Sequence, residues 1–535
     1  MRKLLFLVLP LLLITACQKA PEKKNTFRLN LVDDPVSLDP RVVRSLKDLT
    51  VVKQLFDGLM RLDGDGVPQP AIAEKVELSD DSKTYTFTLR ETSWTNGDPV
   101  TASDFKYAWT KVLDPEFMTD YSHMLYPIKN ARQIREGKMD LEQLGVTALD
   151  DRTLVVELES PTPYFLELLA FPTSFPVNRF VDEASSTWNS PPGTDFVSNG
   201  PFQLMHWNVG SSLELVKNEG YWDADSVQLD GISLSVIIDN NTESQLFDKN
   251  ELDWLGQPVS ANIATELIGK FNREGKLRSY PIAGTHWIKL NTDRPPFDDA
   301  RMRRAFSYAV NRAEIITHIL QGNQTIATGP VPPSMALGEE GYFVDGDTIK
   351  AKKLFEEALT DLGWDRGSFP KIVLNYAPFE RDVKIAQLIQ QQWQQAFGIP
   401  VRLEVTENQL YRRNVREGHY QAGLGSWIGD YNDPISFLDL FQYPNDVAQG
   451  SGMNDTRWHS KQYASLLDDS MAENDPERRR ELLHQAEKIL VDEMPLIPLY
   501  HYAFDYVKKD HIEGVVLLPT GTADFKNVRI NTGSR

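Results

Sequence analysis

The chain has 535 residues, 41% of them hydrophobic, enough for more than one core and, at about 100–200 residues per domain, for about three domains. Its 56 Lys and Arg against 76 Asp and Glu leave a formal charge of −20, which repels nucleic-acid backbones and anionic membranes but not cations or peptides with a free amine. A single cysteine excludes an internal disulfide and any multi-cysteine metal site.

That cysteine gives the first segment its meaning. Arg2 and Lys3 precede an apolar run from Leu4 to Leu13, broken only by Pro10, and Ile14-Thr15-Ala16 leads to Cys17. The run resembles the bacterial lipoprotein signal, with cleavage before Cys17 and lipid on its thiol and new amino end. An ordinary secretory signal and an uncleaved anchor are the other readings. Residues 1–16 are set aside as signal and 17–24 as a polar tether, so the protein is expected in the periplasm or at the cell surface, held to a membrane through Cys17.

Phe27 to Leu31 alternates as a strand, and a helix carrying Leu49, Val52, Leu55, Phe56 and Leu59 follows, with Gly58 near its end. Asp63-Gly64-Asp65-Gly66 is a turn that lacks the remaining positions of a calcium loop. Thr84 to Leu89 is a strand with Tyr85, Phe87 and Leu89 on one face, and Thr101 with Asp104 caps the next helix. Thr153 to Leu158 is a strand, and Pro191-Pro192-Gly193 marks a boundary. Asn199-Gly200-Pro201 turns into a β pair over 202–204 and 213–216, followed by a strand at 232–238 and a short helix at 243–249.

Asp298-Asp299 opens a helix with Met302, Ala305, Phe306, Ala309 and Val310 on one face. Another carries Ala351 to Leu362 and stops at Gly363. A strand at 372–376, a helix from about 383 to 397 and a strand at 401–405 form a β-α-β unit. Asp475-Pro476 starts the last long helix, and 494–502 is a buried strand with Tyr500 and Tyr502 on one face. Strand and helix signals alternate throughout, so the class is α/β in several lobes.

The stretch Gly425-Ser426-Trp427-Ile428-Gly429-Asp430-Tyr431-Asn432-Asp433-Pro434 reads as a tight loop. Trp427 would offer an apolar wall and Asp430 would meet a cation; a buried Trp beside a turn-forming Asp is the alternative. Ile435 to Phe441 is apolar enough to enter a core. No nucleophile elbow, zinc-protease motif, phosphate loop or Cys-x-x-Cys occurs, and the nine histidines are scattered without metal-ligand spacing. Nothing in these patterns argues for an enzyme, a cofactor or a metal.

Four stretches together resemble one family. They are 85–90 with Trp94-Thr95-Asn96-Gly97-Asp98-Pro99-Val100-Thr101-Ala102-Ser103-Asp104-Phe105, Asn199-Gly200-Pro201-Phe202 through Tyr221-Trp222-Asp223, Pro296-Phe297-Asp298-Asp299-Ala300-Arg301-Met302-Arg303-Arg304-Ala305, and Asp430-Tyr431-Asn432-Asp433-Pro434-Ile435-Ser436-Phe437-Leu438. Their order is similar to that in the peptide-binding lipoproteins that serve ABC transporters, especially the oligopeptide branch. The resemblance implies a two-lobed, periplasmic-binding-protein-like α/β fold of three domains with a hinged ligand cleft. Domain I would comprise 25–50, 190–284 and 503–535, domain II the inserted 51–189, and domain III 285–502. The implied partners are an oligopeptide ligand and the permease subunits of a transporter; the protein would be a monomer, without enzyme activity, cofactor or metal.

Carried over residue by residue, the resemblance makes Asp430 the carboxylate that meets the peptide ammonium and Trp427 an aromatic on the ligand. Arg416 would be a cationic pocket residue and Tyr502 a cleft tyrosine, with Asp34, His286 and Trp287 lining the cleft. Two departures stand out. Leu424 occupies the place of an arginine that helps hold the ligand's C-terminal end, and Asp382 falls near a position held by histidine. A dipeptide, a cell-wall (murein) peptide, a nickel chelate or haem are other cargoes of the same fold, and a peptide receptor without transport is a further reading.

Overall fold

The computed structural model describes residues 25–190, 196–260, 263–338, 341–443 and 453–531. The signal, the tether, Cys17 and the Pro191-Pro192-Gly193 boundary lie outside the described residues. Three larger sheets organise the rest. In the first, Thr26–Asn30 runs parallel to Gly231–Ser235, which pairs antiparallel with Ser212–Lys217 and through it with Phe202–Asn208. The second is wholly antiparallel: Ala73–Leu78, Thr84–Leu89, Thr153–Glu157 and Val146–Ala148. The third has seven strands and orders Trp254–Gly256, Leu496–Lys508, Arg278–Leu290, Ala422–Ile428, Ile372–Tyr376 and Val401–Val405, with Thr325–Ile326 on the flank of Leu496–Lys508.

Local chemistry explains most boundaries. Thr101 and Asp104 close a reciprocal capping box on the helix Ala102–Leu113. Asp299 caps Ala300–Tyr308, and Asp475 caps Pro476–Glu493, whose proline occupies a first-turn position that needs no N–H partner. Gly363 and Gly398 take the left-handed conformation that ends Thr348–Leu362 and Glu380–Phe397. The β-α-β unit is present, with its two strands parallel.

Several expectations change: the strand expected at 232–238 stops at Ser235, and the helix expected at 243–249 begins at Asn240. The first helix, Leu46–Leu55, stops before Phe56 and so well short of Leu59. The Leu55 carbonyl accepts from the Gly200 N–H, and the backbone there leaves no room for a side chain at Gly200, so the chain must leave the helix to pack. The last long strand runs on to Lys508. The first half of the expected 425–434 loop is strand as far as Ile428, because Gly425 to Ile428 pair with Trp287 to Gly284.

The first two sheets share one core, in which Phe27, Phe87, Leu154, Phe202 and Leu215 are fully or almost fully buried, and which continues across to Trp287, Phe437 and Tyr463 beside the third sheet. The third sheet has its own, around Ile288, Phe306, Phe355, Ile389, Trp393 and Ile497. The chain is thus two-lobed. Arg28 of the first sheet holds Asp253 at 2.6 Å, which ties it to the Trp254–Gly256 strand at the edge of the third. The strands Arg278–Leu290 and Leu496–Lys508, 13 residues each, run side by side from that edge into the heart of the second lobe. Their ladder is interrupted between Pro281 and Thr285. Fewer ladder bonds make such a point easier to bend than the paired segments on either side.

Candidate functional site

The strand Ala422–Ile428 lies inside the third sheet yet has a bare margin. One side pairs with Arg278–Leu290 along its whole length; the other meets Ile372–Tyr376 only at Ala422 and Gly423. Among the described residues no strand pairs with that outer side beyond Gly423. The chain then enters a pinned loop. The Gly429 N–H donates to the Ala283 carbonyl at 2.7 Å, and a Cβ at Gly429 would press on the Phe437 ring at 3.0 Å. Asp433 accepts from the Ile435 N–H and receives two bonds from Arg479, at 2.6 and 2.8 Å. Ile435, Phe437 and Leu438 are buried behind it.

This bracing presents Asp430 to a cavity between the lobes. The cavity has a volume of about 190 Å³ and opens partly to solvent; Arg44, Tyr121, Glu167 and Phe171 line it from the first lobe, and Ile428 and Asp430 from the second. The Asp430 side chain is 15% exposed, and its Oδ2 stands 3.6 Å from Nε2 of His123, which belongs to the first lobe. Burial pushes the His123 pKa down, but the Asp430 carboxylate more than offsets it, and the net shift is upward.

More acids gather behind. Asp439 belongs to the same acidic group but is exposed, so solvent screens it. Glu167 is pushed up to about 8, by burial and then by Asp433 across the lobe boundary. Its Oε2 is buried without a partner among the described residues. Tyr164 of the first lobe stacks on Tyr431 of the second, 4.8 Å between centroids and 7° between planes. The Arg479 guanidinium lies 5.8 Å from the same Tyr164 ring.

The remaining expected residues divide. Trp427 is half-buried in the core that joins the lobes. Trp287 is buried outright, edge-on to Phe441 at 6.1 Å, so it belongs to packing rather than to the cavity wall. Asp34 does not border the cavity. Its two oxygens accept from Trp207 Nε1 at 2.8 Å and the Gly210 N–H at 2.7 Å, which holds a hairpin of the first sheet. Arg416 does not border it either; its side chain is exposed in the last turn of Asn408–Glu417. Leu424 is buried in the second-lobe core, and its carbonyl is held by the Tyr411 hydroxyl, so an apolar side chain fits there.

His286 and Tyr502 come together elsewhere, in a second polar cluster with Arg381, Asp382 and Tyr500. His286 Nδ1 is 3.2 Å from the Tyr502 hydroxyl, and its ring stacks on Tyr500 at 5.1 Å. Burial, and then Arg381, hold His286 well below 6.5, so the ring is neutral. Sequence reasoning missed His123, Tyr121, Glu167, Tyr164 and Arg381. The first four sit in short turns and helices between residues 121 and 168, with no local pattern that sets them apart; Arg381 is one more charged residue in a helix's first turn.

Comparison with known proteins agrees with this geometry. The family described as bacterial extracellular solute-binding proteins, family 5 middle, matches residues 67–449. The oligopeptide-binding protein OppA of Bacillus subtilis (strain 168) is 41% identical over 515 residues, covering 95% of this chain and 93% of that protein. Among solved structures, the periplasmic murein tripeptide-binding protein MppA in its unliganded open form superposes with a TM-score of 0.81 at 28% identity, over 95% of this chain and 98% of that one. Listeria monocytogenes OppA bound to peptide gives 0.73 at 30% identity, over 95% and 99%.

Proposed function

Because the chain belongs to the family 5 bacterial extracellular solute-binding proteins, we propose that it captures oligopeptides in the inter-lobe cleft and delivers them to an ABC-transporter permease. The observation that carries this reading is the Asp430 carboxylate, facing a cavity between two lobes at the end of a strand with an unpaired outer side. A peptide's α-ammonium meets that need: a charge-assisted hydrogen bond contributes about 1.5–3 kcal/mol net. The peptide backbone would run along the bare side of the strand beyond Gly423, so that main-chain bonds supply affinity while the side chains vary. His123 would give up Asp430 when the ammonium arrives.

In this reading domain I takes 25–50, 190–284 and 503–535, domain II takes 51–189 and domain III takes 285–502. The interrupted ladder between Pro281 and Thr285 supports a hinge at the 284/285 boundary. The protein would act as a monomer anchored through Cys17. Asp430→Ala should weaken a free-amine peptide by tenfold or more, about 1.4 kcal/mol, in titration calorimetry. N-acetylation of the peptide should cost the wild type the same and the variant nothing. Wild-type affinity in the variant would remove Asp430 from the site.

A further inference from the structure

The cavity beside Asp430 contains a carboxylate that nothing neutralises. Glu167 reaches its wall from Phe165–Leu168 of the first lobe. Among the described residues, its Oε2 is buried with no hydrogen-bond partner. The charged groups that face it come from the second lobe. Burial and Asp433 raise its pKa, while Arg479 and the Asn432 N–H oppose them. Arg479 is already engaged, because its two bonds go to Asp433. Asn432 Oδ1 is a further buried acceptor without a donor among the described residues. The place is therefore short of donors and of positive charge, and an unmet buried acceptor is costly.

Other cations on the cavity wall have partners. Arg44 pairs with Asp120 at 2.7 Å. Lys53 is 3% exposed; its Nζ donates to the Ala170 carbonyl at 3.2 Å and lies 5.9 Å from the centre of the Phe175 ring. Burial, and then Arg61, push the Lys53 pKa down to about 8, which weakens its repulsion of a second cation. Leu46, Leu49, Leu62 and Phe171 make up the apolar part of the wall.

We propose that this cavity takes the first side chain of the peptide and that Glu167 selects a basic one, such as the amine of lysine. The inference rests on the peptide reading above. With the α-ammonium at Asp430 and the backbone along the bare side of the strand, the space beside the carboxylate falls to the first side chain. Its volume of about 190 Å³ equals that of roughly six waters at about 30 Å³ each, so a lysine side chain fits. The methylene stem lies on the apolar wall and the charged head meets Glu167, the usual division of a long basic side chain. An ammonium brings three donors and the missing charge. Glu167 then gives up the proton that burial otherwise makes it keep.

Calorimetry on the full chain at neutral pH tests this with trialanine preceded by lysine, by norleucine, which keeps the stem and lacks the amine, or by glutamate. Wild type should prefer the lysine peptide over the norleucine peptide by tenfold or more. Buffers of different ionisation enthalpy should show the lysine peptide binding with up to one proton fewer, because its amine displaces the Glu167 proton. Glu167→Gln should bring the two peptides within twofold of each other and erase the proton difference. Glu167→Asp, which keeps the charge on a shorter stem, should retain part of the preference. Equal binding of the lysine and norleucine peptides by wild type, or an unchanged preference in Glu167→Gln, overturns the proposal. So does a preference for the glutamate peptide, which assigns the wall to Lys53. N-acetylation of the norleucine peptide reports separately on Asp430: if it costs nothing, the ammonium reading fails whatever the lysine-to-norleucine ratio.

Discussion

Around Asp430 the polar groups come from both lobes, whereas around Arg381 every one comes from the second. His123, Tyr121 and Glu167 reach the first cluster from across the cleft; His286, Arg381, Asp382, Tyr500 and Tyr502 are held on one sheet and one helix end. The first cluster is complete only when the lobes meet, so its free energy is coupled to closure. The second is assembled within one lobe and does not depend on closure. The difference teaches that polar groups shared between lobes respond to closure, whereas those built on one lobe do not.

The largest test concerns the brace behind Asp430. Arg479→Ala leaves the Asp433 carboxylate, 9% exposed, without its two-pronged partner. Denaturant unfolding should show a loss of about 3–5 kcal/mol. Arg381→Ala should cost far less, because its contact with Asp382 is longer, 3.6 Å, and the Arg381 side chain is 41% exposed to solvent. Equal losses would break the contrast between a pinned loop and a cluster held by longer contacts.

Smaller effects sharpen it. Tyr164→Leu removes the inter-lobe stack and should weaken peptide binding, read by calorimetry, by about 0.5–1.5 kcal/mol. Glu167 gives a pH signature. Its pKa rises from 4.5 to about 8 where the lobes meet, so the joined form keeps a proton that the parted form releases. The contact is fully favourable below 4.5 and is lost as the pH climbs to about 8. His123, also raised, acts in the same sense above 6.5. Inter-lobe fluorescence transfer should thus show opening with rising pH, flattened in Glu167→Gln. An unchanged profile in that variant would take Glu167 out of closure.

Much of the scaffold was legible from short patterns. Thr84–Leu89, the capped helix Ala102–Leu113 and the β-α-β unit from Ile372 to Val405 follow from alternation, caps and stop signals within a few residues of each other. The 425–434 stretch was legible as special but not as half strand, because glycines and serine carry no strand signal; the pairing with Trp287 to Gly284 supplies it. Asp34 was legible as a carboxylate near the first strand, but its partners, Trp207 and Gly210, lie in a hairpin that only the folded sheet brings alongside.

By itself, then, the order of residues determined the elements, the family motifs and the acidity of the Asp430 loop. The tertiary structure alone decided which acids face one another across the cleft, that Arg416 stays in solvent, and that Arg381, His286 and Tyr500 stand in one cluster. Periodicity and capping act over one or two turns of chain, whereas desolvation and hydrogen-bond geometry depend on what packing brings near, and packing joins segments that no local pattern links.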